Sequence, residues 1–99
     1  MPAQTVYSME DLRAMVRPLL ARHGLRAASL FGSYARDEAS ASSDIDVIVD
    51  GGPGFRALDV YAFGEDLRLA SGKDVDVFEL SELDEGPFRR AILGEAVAL

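Results

Sequence analysis

Cysteine is absent from the 99 residues. Its absence excludes a disulfide framework and a thiolate metal site, and makes a cytoplasmic home the expectation. Missing too is any apolar run of membrane-spanning length, and no basic-then-apolar leader opens the sequence, so neither membrane nor export is expected. There are no internal repeats, low-complexity tracts or linkers long enough to divide the chain. Residues 1–99 are therefore expected to form a single domain, near the lower end for a two-layer core. The one histidine, His23, is expected to cap or pack against the end of a helix and is assigned no chemistry.

Positive charge is also scarce, with 10 Lys and Arg against 17 Asp and Glu and a net charge of −7. The imbalance is uneven along the chain. Residues 1–36 carry five arginines against Glu10 and Asp11, whereas residues 37–99 carry five basic and fifteen acidic side chains. Gripping a nucleic-acid backbone calls for a basic face, so direct nucleic-acid binding is not expected. The acidity suits a basic protein partner or serves solubility alone. At 48% hydrophobic and 27% charged, the composition is that of a globular protein.

What is present reads as an alternation of helices and strands. Ser8 with Asp11 has the form of a capping box, followed by Met9, Leu12, Val16, Leu19, Leu20 and His23 at helical spacing and a stop at Gly24. Pro18 falls inside that pattern and predicts a kink or a break into two short helices. Leu25 to Phe31 reads as a short strand ended by Gly32, and Ser33 to Arg36 as a helical turn. Ile45 to Val49 is a β-branched run and reads as a strand. After the loop at Gly51-Gly52-Pro53-Gly54, Leu58 to Ser71 is helical with a stripe of Val60, Phe63, Leu67 and Ala70. Val75 to Leu80 is a third strand, and Pro87 to about Ala98 a last helix with proline in its first turn. The order α-β-β-α-β-α predicts an α+β fold, a small mixed three-stranded sheet packed with helices. Strands two and three should run parallel through a right-handed crossover.

That topology gathers chemistry. Asp44 and Asp46 open the second strand and Asp74 and Asp76 the third. Residues two apart share a face, and neighbouring strands lie about 4.8 Å apart, so Asp76 is expected to join Asp44 and Asp46. With the first strand antiparallel to the second, the Gly32-Ser33 turn reaches the same edge. Three carboxylates suit a hard cation such as Mg²⁺, and of two ions one would activate the attacking oxygen and the other neutralise the leaving pyrophosphate. On this reading Asp44, Asp46 and Asp76 are the metal ligands and catalytic residues. Asp44 and Asp46 serve both ions, and Asp76 completes the ion at the attacking group and helps remove its proton. Gly32 would admit the phosphates, Ser33 would donate a hydroxyl, and Arg36 would reach a phosphate oxygen. Taken singly, each feature has a plainer reading: Asp-x-Asp as a solvated turn, Arg36 as a surface arginine, Lys73 as exposed or paired with acid. The conjunction is what points to a site.

The stretch Phe31-Gly32-Ser33-Tyr34-Ala35-Arg36 with Ser43-Asp44-Ile45-Asp46-Val47 resembles the G-S-x10-D-x-D signature of minimal nucleotidyltransferases in the DNA polymerase β superfamily. Lys73-Asp74-Val75-Asp76-Val77 resembles the strand with that family's third carboxylate, and the likeness runs on to Ile92-Leu93-Gly94-Glu95-Ala96-Val97. One departure is Asp37, where such sequences usually have glycine. The resemblance implies the two-layer nucleotidyltransferase fold, ATP as substrate and Mg²⁺, in all a protein adenylyltransferase. It further implies an antitoxin that transfers AMP to a tyrosine of a HEPN-domain toxin, in a hetero-oligomer with it. A non-catalytic antitoxin that neutralises the toxin by direct binding is the alternative. A small-molecule acceptor is a third reading, disfavoured because no segment is left over for an acceptor-binding domain.

Overall fold

The computed structural model describes residues 5–99. Helix α1 (Met9–Arg22) leads to strand β1 (Ala27–Phe31), the short helix α2 (Gly32–Ala35), strand β2 (Ile45–Asp50) and helix α3 (Ala57–Ser71). Strand β3 (Val75–Glu79), a 3-10 turn (Leu80–Glu82), helix α4 (Pro87–Glu95) and strand β4 (Val97–Ala98) complete it.

The sheet has the order β3-β2-β1-β4. As expected, β1 and β2 are antiparallel and β2 and β3 parallel. The fourth strand is an addition. Where a helix was expected to run to about Ala98, α4 ends at Glu95, and Val97 and Ala98 pair antiparallel with Leu30 and Ser29. Two residues carry no periodicity of their own, and pairing here covers backbone groups that β1 would otherwise leave open at a sheet edge.

Leu12, Val16 and Leu20 of α1 and Val60, Phe63 and Leu67 of α3 pack on Ala28, Leu30, Ile45, Val47 and Val49 of the sheet. The alternate strand residues, including Phe31, Asp46, Ile48, Asp76 and Phe78, point to the opposite face. Helix α4 crosses part of that face, and its Phe88 ring meets Phe78. Ser71, not Ala70, continues the buried stripe of α3. It lies four residues beyond Leu67, and its carbonyl accepts a 2.6 Å hydrogen bond from the Tyr7 hydroxyl.

The capping box forms in both directions: the Asp11 N–H donates to Ser8 Oγ and the Ser8 N–H to Asp11 Oδ2, each at 3.0 Å. Pro18 does not divide α1, which is continuous through it. Pro18 and Ala14, whose carbonyl loses its donor, both lie on the exposed side, where the carbonyl is open to solvent instead of being sealed in the core. His23 forms the C-cap of α1, and its ring meets Asp66 of α3 at 2.7 Å, tying the two helices together.

Candidate active site

The register of the sheet builds the site. Phe31 is paired with Asp46, and Asp46 with Asp76. The two carboxylates therefore stand side by side on the adjacent strands β2 and β3, and Gly32 follows directly on β1. A β-carbon on Gly32 would collide with the Asp46 carboxylate, and its φ of 71° is one that side chains rarely adopt. Two independent constraints thus demand glycine here. Gly32→Ala is expected to cost roughly 1–2 kcal/mol from the left-handed backbone alone, and to push Asp46 out of register with Asp76. Chemical denaturation together with a Mg²⁺ titration checks this: an alanine variant with unchanged stability and metal response contradicts it.

Burial raises the Asp46 carboxyl to about 6, with the charges of Asp76 and Asp44 adding to it. A hydrogen bond to Asp76 favours the protonated form further, while Arg36 opposes. Like charges so close on adjacent strands are costly together, and that cost favours a neutral Asp46 as pH falls toward about 6. Asp44 is near enough to act on Asp46, but among the described residues no three His, Cys, Asp or Glu side chains converge closely enough to enclose a cation. The expected meeting of three carboxylates is therefore realised as a pair with a third at its margin. An all-oxygen set of this kind fits Mg²⁺, which takes one or two carboxylates and completes its shell with phosphate and water.

The phosphate side differs from expectation in one respect. The Gly32 N–H donates to Glu95 Oε1 at 2.8 Å, and Arg36 Nη1 lies 3.2 Å from Glu95 Oε2. Arg36 Nε also donates to Glu38 at 2.8 Å. Two of the three residues assigned to phosphate, Gly32 and Arg36, thus hold carboxylates of the chain itself, with which a triphosphate would compete. The Gly32 N–H and then Arg36 hold Glu95 below the usual carboxylate range. Ser33 is half-buried at the start of α2. Asp37 occupies the left-handed region at φ 57°, a conformation that glycine adopts freely and that aspartate tolerates better than most residues. The loop therefore keeps its path without the usual glycine.

Sequence reasoning missed Glu95, because nothing in its spacing ties α4 to the Gly32 turn. It also misjudged Lys73, which is neither exposed nor paired with acid. Lys73 is buried at 6% exposure, and its Nζ donates to the carbonyls of Ala41 at 2.8 Å and Ser43 at 3.4 Å. It thereby fastens the loop that delivers Asp44.

Residues 15–99 match the family described as Polymerase beta, Nucleotidyltransferase. A candidate protein adenylyltransferase of Methanocaldococcus jannaschii is 37% identical over 90 residues, covering 91% of this chain and 96% of its own. The protein adenylyltransferase MntA of Thermococcus cleftensis is 35% identical over 86 residues, covering 87% and 86%. A solved candidate minimal nucleotidyltransferase superposes with a TM-score of 0.76 at 33% identity, covering 96% of this chain and 99% of that one. A crystal structure of a toxin–antitoxin with AMP-PNP has the same fold, with a TM-score of 0.73 at 22% identity over 87% of this chain and 70% of that one. With its Gly-Ser turn and Asp-x-Asp strand joined at one sheet edge, the chain belongs to the polymerase β nucleotidyltransferase family.

Proposed function

We propose that this protein is an antitoxin that transfers AMP from ATP to a tyrosine of a HEPN-domain toxin and silences it by that modification. The register that sets Asp46 beside Asp76, with Gly32 against Asp46, carries the reading. Relatives named as protein adenylyltransferases support it, as do solved relatives that include a tri-AMPylated Shewanella oneidensis HEPN toxin in complex with MNT antitoxin. That likeness is at 22% identity and is one of fold. We take residues 1–99 as one catalytic domain that meets its toxin as a separate chain, in the cytoplasm.

Asp44, Asp46 and Asp76 would hold Mg²⁺, whose role when bound is to neutralise phosphate charge and acidify the attacking hydroxyl. The acceptor oxygen forms a bond to the α-phosphorus, the bond to the bridging oxygen breaks, and pyrophosphate leaves. Asp76, the cross-strand neighbour of Asp46, receives the hydroxyl proton. Gly32, Ser33 and Arg36 orient the departing phosphates, with Glu95 yielding the Gly32 N–H. Incubation with ATP, Mg²⁺ and a HEPN protein encoded beside this chain is expected to add the mass of AMP to a tyrosine of that protein. A folded partner that gains no mass would sink the proposal.

A second reading draws on Glu95: with the Gly32 N–H and Arg36 already engaged, the domain would neutralise its toxin by binding alone. Asp46→Ala separates the two. Lost neutralisation favours transfer, and retained neutralisation favours occlusion.

A further inference from the structure

We propose that Phe31, Phe78 and Phe88 form a docking ledge for the acceptor, an aromatic side chain flanked by lysine or arginine on a segment of a partner protein. The inference deepens the function proposed above and rests on it for the role of the neighbouring acid pair. The three rings run in a row, with centroids 5.8 Å apart from Phe31 to Phe78 and 6.1 Å from Phe78 to Phe88, the second pair edge-on. They are not core residues. Phe78 is 38% exposed and Phe88 59%, while Phe63 is fully buried.

Their position gives the row its meaning. Phe31 is the cross-strand partner of Asp46, and Phe78 follows Asp76 by two residues on the same face. Two residues along a strand span about 6–7 Å, roughly the reach of a tyrosine ring with its hydroxyl. A ring seated edge-on against Phe78 therefore brings its hydroxyl to Asp76. Aromatic pairs favour this offset or T-shaped packing over face-to-face stacking.

Charge selects the kind of segment. Glu82, Asp84 and Glu85 lead into α4 ahead of Phe88. The Arg89 guanidinium donates to the carbonyls of Leu80 at 2.8 Å and Leu83 at 3.0 Å and lies 3.8 Å from Glu85, and Arg90 is a second cation of that turn. These charges nearly cancel, and the acidic surplus beside the rings comes from Asp44, Asp46 and Asp76 at the same sheet edge, which attracts cationic neighbours of the acceptor ring.

The chain has five phenylalanines, so incorporation of 4-fluorophenylalanine gives a countable ¹⁹F NMR spectrum, assigned by single Phe→Leu replacements. The peptide Lys-Arg-Tyr-Arg-Lys, its serine counterpart and MgATP are titrated separately. The tyrosine peptide is expected to move the Phe78 and Phe88 signals, to leave Phe63 in place, and to bind more tightly than the serine peptide. Phe88→Ala, at an exposed site that does not threaten folding, should weaken the tyrosine peptide by about 2- to 10-fold. The ledge is overturned if tyrosine and serine peptides bind alike, if neither moves Phe78 and Phe88, or if MgATP alone moves them. The last result would assign the rings to the nucleobase. Peptide binding is read without turnover, so a failed ledge in a protein that still transfers AMP leaves the proposed function standing. Ledge binding without transfer does the reverse.

Discussion

Asp46→Asn is expected to remove nucleotidyl transfer while making the metal-free domain more stable at pH 8. Loss of even an outer-shell partner of a metal site costs up to about 100-fold in activity or affinity, so loss of a ligand itself should exceed that. The stability gain follows from the raised carboxyl at about 6, set first by burial and then by Asp76 and Asp44. An acid whose folded value lies above its unfolded one stabilises the fold while protonated. That contribution is full below the unfolded value of 3.8 and is lost as pH rises through about 6. Two units correspond to about 3 kcal/mol, but Asp46 keeps much of its contact with water, and screening reduces the effect to about 1 kcal/mol. Urea unfolding in chelator at pH 5 and pH 8 measures it, with the advantage of the asparagine variant growing toward pH 8. A variant no more stable than the parent at pH 8, or one that still transfers AMP, would contradict this account. By the same sign, protons compete with Mg²⁺ at Asp46, so metal affinity in calorimetric titrations should fall as pH drops below about 6.

Lys73→Met is the second large effect. The methionine fills a similar volume but leaves the Ala41 and Ser43 carbonyls without their charged donor. Hydrogen bonds to charged groups contribute about 1.5–3 kcal/mol each, and with one bond long at 3.4 Å the expected destabilisation is about 2–3 kcal/mol. The functional consequence is separable from the structural one. Ser43 immediately precedes Asp44, so a released loop misplaces one ligand and raises the Mg²⁺ concentration needed for half-maximal transfer by roughly 10-fold or more. Lys73→Arg, which restores a cation to the same carbonyls, should recover much of the Mg²⁺ response. Lys73 acts only as a brace of the fold if the methionine variant loses stability yet keeps the parent's Mg²⁺ dependence.

The ledge, the acid pair and the loop clamp differ in how far they could be read in advance. Ser8 with Asp11, the β-branched run at Ile45 and the glycine stop at Gly24 are local signals, each satisfied by backbone geometry within a few residues, and each appears in the fold as read. The tail of α4 and the continuity of α1 through Pro18 were settled by surroundings instead. A free edge on β1 drew Val97 and Ala98 into the sheet, and an exposed carbonyl at Ala14 lost its bond without isolating it from water.

Residue order alone therefore specified the strand-turn-strand frame, the spacing of Gly32-Ser33 from Asp44 and Asp46, and the parallel crossover that returns Asp76 to their side. These follow from periodicity and chain connectivity, which are properties of neighbours. Folding in three dimensions decided that burial beside Asp76 raises the Asp46 carboxyl, that Glu95 reaches the Gly32 N–H across 63 residues, and that Lys73 is buried under carbonyls 30 and 32 residues away. Each depends on which groups share a desolvated space, and desolvation depends on packing between elements that no local pattern describes.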